Sequence, residues 1–133
     1  MKKIFISSDH AGFNLKEAIK IFLNKKKYKF IDLGPKNDSR VDYPDFAHKV
    51  AKKVKINKNH VGILICGSGM GMNIAANKHK NIRAAQCFNL RSTKLSRLHN
   101  DANIITLGSR LLKKNIVMNL INIFLSTKFE GGR

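Results

Sequence analysis

The stretch Val61-Gly-Ile-Leu-Ile-Cys66-Gly67-Ser68-Gly69-Met70-Gly71 decides the fold of this chain. Its first half is a short apolar run rich in β-branched residues, which is typical of a strand buried on both faces of a parallel sheet. Glycines then alternate with small or flexible residues, and residues 72–77 predict a helix. A strand, a glycine-rich turn and a helix in this order place the turn at the carboxyl edge of a sheet, where open α/β folds bind their ligands.

Strand and helix patterns alternate along the rest of the chain. Apolar runs predict further strands at 3–8, 28–33, 83–87 and 103–107, and apolar residues spaced three and four apart predict helices between them. Pro44 marks the start of the second helix, Leu95 and Leu98 are the expected inward residues of the fourth, and the last helix is expected at 111–125. The prediction is an α/β fold: a three-layer αβα sandwich, Rossmann-like, with a five-stranded parallel sheet covered by helices on both faces.

Composition limits the class of protein. The 133 residues are enough for one domain spanning 1–133, and no apolar run approaches the roughly 20 residues that cross a bilayer. A cytoplasmic protein with no membrane contact is therefore expected. The net charge of +18 comes from lysines scattered over the chain, which favours a general surface bias over a specific nucleic-acid interface.

The two cysteines, Cys66 and Cys87, are far apart in sequence and have no metal-ligand spacing, so neither a disulfide framework nor a zinc site is expected. Cys87 is interpreted as a core residue because no acid or base neighbours it in the sequence. Cys66 ends the decisive strand, where a thiol is either a small core residue or a reactive group.

The glycine-rich turn fits none of three familiar motifs. A dinucleotide fingerprint needs glycine at position 72, which is Met, and a P-loop needs a Gly-Lys-Ser/Thr ending. A nucleophile elbow around Ser68 would need glycines at positions 66 and 70, which are Cys and Met. What remains is an anion cradle of backbone N–H groups with a cysteine beside it.

Other chemistry-bearing residues are expected at the same edge of the sheet. Asp9 and His10 follow the first strand, His99 and Asn100 precede the fifth, and Arg110 follows it. Taken singly, Asp9 could cap a helix and His99 could be a surface residue. Their joint occurrence with a thiol favours an acid/base site, whereas the remaining histidines are interpreted as surface residues: His48, His60 and His79.

Six blocks of sequence carry a resemblance to a known family. They are Ser8-Asp-His-Ala-Gly-Phe13, Asp42-Tyr-Pro-Asp45, Ile65-Cys-Gly-Ser-Gly-Met-Gly71 with Ala75-Ala-Asn-Lys78, Leu95-Ser-Arg-Leu-His-Asn-Asp101, Leu107-Gly-Ser-Arg110 and Phe129-Glu-Gly-Gly-Arg133. In order and spacing they closely resemble the ribose/galactose isomerase family, to which the type B ribose-5-phosphate isomerases belong. The resemblance extends from the first strand to the last residue, and the six blocks together are highly specific.

The resemblance implies interconversion of ribose 5-phosphate and ribulose 5-phosphate through a cis-enediolate, a step of the non-oxidative pentose phosphate pathway, without cofactor or metal. It makes Cys66 the base, His99 the acid that opens the sugar ring, and Asp9 a group that orients hydroxyls. Ser68 would hydrogen-bond to the thiolate. The remaining residues that it assigns to substrate binding are His10, Tyr43, the backbone of Gly67, Ser68, Gly69, Met70 and Gly71, Asn100, Arg110 and Arg133.

The chemistry of the residues agrees with that reading. A proton next to a carbonyl is weakly acidic, so its removal needs a base in contact with carbon and donors aimed at the developing oxyanion. The family also implies a homodimer, or a tetramer, whose sites take residues from two chains. Ser68 stands where many members have Thr, and the family's further phosphate-contacting arginine beyond position 133 has no counterpart, so phosphate affinity is expected to be weaker unless other cations compensate.

Two other functions stay open at this point. A hexose 6-phosphate, such as galactose or allose 6-phosphate, could be the substrate of the same fold. A non-catalytic basic binding protein is the alternative from a different class, and it would bind polyanions in a salt-sensitive way that is indifferent to Cys66.

Overall fold

Strands and helices alternate along the computed structural model, which describes residues 2–132. The strands are β1 (Lys3–Ser8), β2 (Phe30–Asp32), β3 (His60–Cys66), β4 (Ala84–Gln86) and β5 (Ile104–Gly108). The helices are α1 (Phe13–Lys25), α2 (Tyr43–Val54), α3 (Met70–Ala76), α4 (Leu90–Leu98) and α5 (Lys114–Ser126). The predicted order of elements is confirmed, and the differences lie at their ends.

The sheet has the strand order β2-β1-β3-β5-β4, and its neighbouring strands are parallel. The chain passes from β1 outward to β2 and then returns to β3 on the other side of β1. That reversal opens a crevice between the carboxyl ends of β1 and β3, which is where open α/β sheets bind ligands. Ser8 pairs with Ile65 in this register, so Asp9 and Cys66 follow at adjacent positions of the crevice.

Each face of the sheet carries its own apolar core. Successive residues of the central strands, such as Ile63 and Leu64, point to opposite faces and are fully buried. One face packs against α1 and α5 through Ile19 and Leu120, and the other packs against α2 and α3 through residues such as Val50. Helices on both faces confirm the predicted three-layer αβα architecture.

The fourth helix departs from the prediction. Its buried residues are Thr93, Ser96 and Arg97, whereas Leu95 and Leu98, the expected inward residues, are only half-buried. The burial of polar side chains is possible because the hydroxyls bond to the helix's own backbone: Thr93 Oγ1 donates to the carbonyl of Asn89 at 2.8 Å, and Ser96 Oγ donates to that of Thr93 at 2.7 Å. The leucines are thus left on a face that this chain covers only in part.

The last helix begins three residues later than predicted. The amides of Leu111 and Leu112 both donate to the carbonyl of Gly108 at 3.1 Å, so a tight turn occupies the predicted first residues of the helix. In the described part of the chain, no helix is long and apolar enough to cross a membrane.

Candidate active site

The thiol of Cys66 lies at the end of β3, at the base of the glycine-rich turn. The side chain is buried, with 5% of the residue exposed, and its Sγ accepts a hydrogen bond from the backbone N–H of Gly69 at 3.2 Å. Gly69 has φ +81°, a left-handed conformation that glycine adopts without a steric penalty. The turn therefore directs a backbone donor at the sulfur, which stabilises negative charge on it.

The turn is held in place by its own residues and by the neighbouring strands. Ser68 Oγ accepts a hydrogen bond from the N–H of Met70 at 3.1 Å, and the carbonyl of Ser68 accepts one from Gln86 Nε2 at 2.8 Å. A Cβ atom on Gly108 would lie 2.6 Å from the carbonyl oxygen of Ser68, so glycine is needed where β5 passes the turn. These contacts fix the backbone N–H groups that the sequence assigns to an anion cradle.

Asp9 lies at the same crevice and is fixed by backbone groups of Ile65 and of Gly12, the residue before α1. Its N–H donates to the carbonyl of Ile65 at 3.1 Å, and its Oδ1 accepts from the N–H of Gly12 at 3.0 Å. Asp9 is 8% exposed. The bond to Gly12 lies before the helix, whose cap residue is Gly12 and receives no side-chain capping bond, so Asp9 does not cap α1 as the alternative interpretation expected. Asp9 lies beside the position of Cys66 in the sheet register.

The tautomer of His10 follows from one backbone contact. Its Nδ1 lies 3.2 Å from the N–H of Val41, which donates to it. A ring nitrogen that accepts a hydrogen bond carries no proton, so in the neutral imidazole the proton is on Nε2. His10 therefore presents a donor, as a residue that binds sugar or phosphate oxygens requires.

Tyr43 and Arg110 cover the glycine-rich turn from two sides. A Cβ atom on Gly71 would lie 2.6 Å from Cε1 of Tyr43, so the phenol ring rests against the backbone there. A Cβ atom on Gly67 would lie 3.0 Å from Nη1 of Arg110. The exposed guanidinium of Arg110 thus lies directly beside the turn, and planar guanidinium groups bind phosphate through two donors at once.

The second cysteine has a different environment. Cys87 is 1% exposed, its Sγ lies 3.9 Å from Ser96 Oγ, and burial raises the pKa of its thiol. A buried thiol with a raised pKa stays protonated at neutral pH. Its interpretation as a core residue is confirmed.

His99 and Asn100 are not at the edge of the sheet that was expected. Helix α4 runs back from the carboxyl end of β4 to the amino end of β5, so the residues after it precede Ile104 at the amino edge. Arg83, which precedes β4, donates through Nη1 to the carbonyl of Asn100 at 3.5 Å, in agreement with that position. The length of β5, roughly 13 Å at 3.3 Å per residue, separates them from Cys66 of the same chain.

Arg97 holds the turn that carries His99 and Asn100. Its side chain is 5% exposed and donates to the carbonyl of Thr127 at 2.9 Å, to Asp101 Oδ1 at 2.9 Å and to the carbonyl of Ala102 at 2.6 Å. The chain after α5 therefore runs beside this turn, and the N–H of Glu130 donates to the carbonyl of Leu98 at 3.1 Å. Arg133, a predicted substrate-binding residue, lies outside the described residues.

The prediction from sequence missed two residues that support the site, and it did not foresee the contacts of three histidines. Gln86 holds Ser68, and Ser109 Oγ donates to the carbonyl of Ala11 at 2.8 Å. The sequence signal that could have indicated Gln86 and Ser109 is a polar residue at the end of an otherwise apolar strand. The histidines interpreted as surface residues are half-buried and have partners: His48 Nδ1 lies 2.7 Å from His79 Nε2, and His60 Nδ1 lies 2.7 Å from the carbonyl of Lys53.

Comparison with known proteins agrees with this geometry. The sequence matches the ribose/galactose isomerase family over residues 4–133. It is 42% identical over 133 residues to ribose-5-phosphate isomerase B of Escherichia coli K12, which covers 100% of this chain and 89% of that protein. The chain therefore belongs to the ribose/galactose isomerase family, and it is an isomerase.

Solved structures show the same fold. Ribose-5-phosphate isomerase B of Clostridium thermocellum is 48% identical, with a TM-score of 0.96 over 98% of this chain and 88% of that one. Ribose-5-phosphate isomerase B of Mycoplasma genitalium, solved with bound ribulose-5-phosphate, is 44% identical, with a TM-score of 0.95 over 98% and 88% of the two chains.

Proposed function

We propose that this protein interconverts D-ribose 5-phosphate and D-ribulose 5-phosphate, with Cys66 as the base that moves the proton between C1 and C2. The observation that carries the proposal is the position of the thiol: a buried sulfur at the topological switch point, with the N–H of Gly69 directed at it. Membership of the ribose/galactose isomerase family and the relative solved with ribulose-5-phosphate support the substrate class.

The proposed proton transfer follows from the carbon chemistry. The thiolate of Cys66 takes the proton on C2 of the open-chain aldose, the C–H electron pair becomes the C1–C2 double bond, and the carbonyl oxygen on C1 gains the negative charge. In the resulting cis-enediolate the proton on the C2 oxygen then moves to the C1 oxygen, Cys66 returns its proton to C1, and the C2 oxygen becomes the carbonyl of the ketose. Backbone N–H groups of residues 67–71 would stabilise the enediolate oxygen, a contribution that preorganised donors make at little reorganisation cost.

The remaining groups would bind and open the sugar. His10 Nε2 and the guanidinium of Arg110 supply donors for oxygens at the carboxyl edge, and Asp9 supplies an acceptor for hydroxyls. His99 would donate the proton that opens the furanose ring, and Asn100 would bind the substrate. Because these last two lie at the amino edge of the same chain, the proposal requires that they act on the substrate held by a second copy.

A twofold dimer meets that requirement. An isologous interface brings the same two surfaces together twice, so the carboxyl edge of one protomer meets the amino edge of its partner at two equivalent sites. The half-buried Leu95 and Leu98, on the helix that leads to His99, are apolar surface that such a contact would cover. This assembly is part of the proposal.

The experiment that tests the function follows conversion of ribose 5-phosphate to ribulose 5-phosphate by the purified protein and by Cys66→Ala. Turnover in the first and a loss of about 1,000-fold in the second is the expected result, since general acid/base groups contribute 100- to 10,000-fold. Equal rates in both proteins would contradict the role of Cys66. Allose 6-phosphate and galactose 6-phosphate are assayed in parallel. A higher kcat/KM on either hexose phosphate than on ribose 5-phosphate would identify that hexose phosphate as the preferred substrate.

A further inference from the structure

A second concave surface lies at the amino edge of the sheet, away from Cys66. Its volume is about 550 Å³, and its charged lining consists of Lys2, Lys55, Lys58, Arg83, Arg97 and Asp101. We call this surface the amino-edge cleft. Volumes of 300–1,000 Å³ are typical of sites for small molecules.

The charge of the amino-edge cleft is strongly unbalanced. Five cationic side chains line it against the single carboxylate of Asp101, and that carboxylate already accepts a 2.9 Å hydrogen bond from Arg97. Partial burial and the nearby charge of Arg97 lower the pKa of Lys2. Like charges held together in a concavity repel each other, and a multiply charged anion would relieve that repulsion.

The general lysine bias of the chain does not account for this cluster. Only six of the 26 basic residues are arginines, and two of the six, Arg83 and Arg97, line the amino-edge cleft. Asn81 and Asp101 also line the cleft, both in the left-handed conformation, φ +69° and +49°, which asparagine and aspartate adopt more readily than other residues apart from glycine.

The lining also includes apolar surface, which narrows the class of anion. Ile56 lines the amino-edge cleft while remaining 70% exposed, and Val54 lies beside it. A ligand with both a phosphate chain and a flat, weakly polar part would contact the cations and Ile56 together. We propose that the amino-edge cleft binds a nucleoside triphosphate, with the phosphates on Lys55, Arg83 and Lys2 and the base against Ile56.

Within one chain, the amino-edge cleft lies at the opposite edge of the sheet from Cys66 and from Arg110, which lies beside Gly67. The amino-edge cleft nevertheless adjoins the segment with His99, because Arg83 and Arg97 hold Asn100 and Asp101 on either side. Binding is measured directly as heat, so the result does not depend on whether the protein isomerises ribose 5-phosphate.

The test is calorimetric titration of ATP at about 150 mM KCl, where exposed charges are largely screened beyond roughly 8 Å. The variants are Lys55→Gln/Arg83→Gln in the cleft, Lys29→Gln/Lys94→Gln as a matched loss of two exposed charges elsewhere, and Arg110→Gln at the carboxyl edge. We expect saturable binding of one ATP per chain, weakened about tenfold or more in the cleft variant and less than about twofold in the other two. Thermal unfolding of each variant confirms that it is folded.

Each other outcome overturns the proposal. Absence of saturable binding rejects the site, and equal weakening in the cleft and matched variants shows attraction to net charge alone. Loss of binding in Arg110→Gln places the nucleotide at the carboxyl edge. Tighter binding of a single-stranded RNA oligonucleotide than of ATP, with a steep dependence on salt, identifies the surface as a nucleic-acid contact instead.

Discussion

Asp9 and Cys66 occupy adjacent positions at the carboxyl ends of two neighbouring parallel strands, because Ser8 pairs with Ile65 one step earlier. Adjacent strands are about 4.8 Å apart, so a carboxylate and a thiol share the switch point of the sheet. The acceptor is fixed by the N–H of Gly12 and the sulfur by the N–H of Gly69. The site therefore combines one group that can hold hydroxyls with one that can accept a proton from carbon.

The two cysteines allow a matched test of the proposed base. Cys66→Ser replaces the thiol by a much weaker acid, and we expect kcat to fall about 1,000-fold with little change in stability. Cys87→Ser makes the same change in a fully buried core position and should leave kcat within about twofold, while lowering the free energy of unfolding by about 1–3 kcal/mol. Steady-state kinetics and urea unfolding of both variants give the comparison; similar kinetic losses in the two would refute a special role for Cys66.

Two glycines separate an effect on substrate binding from an effect on folding. In Gly71→Ala the new methyl meets the ring of Tyr43, the movable end of a side chain, and alanine favours helix α3 by about 1 kcal/mol. We expect unchanged or higher stability with a raised KM, because the ring is displaced. In Gly108→Ala the methyl meets the backbone of Ser68, and a loss of about 1–3 kcal/mol is expected. A lower melting temperature in Gly71→Ala than in Gly108→Ala would reverse this assignment.

Mixed dimers test whether one site takes residues from two chains. Cys66→Ala and His99→Asn should each be inactive alone. When equal amounts are unfolded together and refolded, half of the dimers contain one chain of each kind, and each of those holds one intact site out of two. The expected turnover is about a quarter of the unmodified protein's. Failure to recover activity, with dimers present by light scattering, would show that His99 does not act across the interface.

The pH dependence of stability is expected to depend on Asp32. Burial alone would raise the pKa of Asp32, but hydrogen bonds from Lys16 at 2.7 Å and Lys20 at 2.8 Å and from the N–H of Gly34 outweigh it and lower the pKa. A lowered pKa contributes stability above the unfolded value of about 3.9, and that contribution is lost as the pH falls through the folded value.

Asp32→Asn should therefore lower the free energy of unfolding at pH 7 by about 2 kcal/mol and flatten its decline below pH 4 or so. Asp38→Asn, which removes an exposed carboxylate from the polar loop, is the control and should have little effect. Urea unfolding between pH 2 and 7 provides the measurement. If the free energy of unfolding declines equally at low pH in Asp32→Asn and in the unmodified protein, the role given to Asp32 would be contradicted.

Arg97 and Arg91 provide a matched pair on helix α4. Arg97→Lys keeps the charge but cannot reach three acceptors with the same planar fork, so a loss of about 2 kcal/mol in unfolding free energy is expected. Arg91→Lys makes the same replacement at an exposed position and should change stability by less than about 0.5 kcal/mol. Equal losses in both would mean that the contacts of Arg97 with Thr127 and Ala102 contribute little.

Much of the fold was predictable because apolar periodicity is a local property. The runs before Ser8, Cys66 and Gly108 each indicate a buried strand, and their order requires a parallel sheet. Pro44 correctly marks the start of α2, whose helix begins at Tyr43. Strand order was not predictable, because it depends on which strands meet in space, and the prediction for α4 was wrong because Thr93 and Ser96 satisfy their hydroxyls within the helix.

Only the part of the site at the carboxyl edge of the sheet was predictable from sequence. Residues that follow a strand, such as Asp9 and Cys66, can be placed at the carboxyl edge from sequence alone. His99 precedes a strand, and helix α4 returns it to the opposite edge, so the expectation that it lies at the same edge of the sheet as Cys66 was wrong. The supports of the turn were missed because a hydrogen bond between Gln86 and Ser68 joins residues 18 positions apart, which no local pattern reveals.

The close approach of Gly108 to Ser68 has a consequence for how such a turn can vary between related proteins. The shape of the turn is set by main-chain atoms that meet main-chain atoms, with Gly69 and Gly108 leaving the necessary room. The side chain at position 68 adds one hydrogen bond within the turn, because Ser68 Oγ accepts from the N–H of Met70 at 3.1 Å. Serine and threonine both carry the hydroxyl that makes this bond, so either residue is expected to keep the hydrogen bond while the main-chain contacts set the shape of the turn.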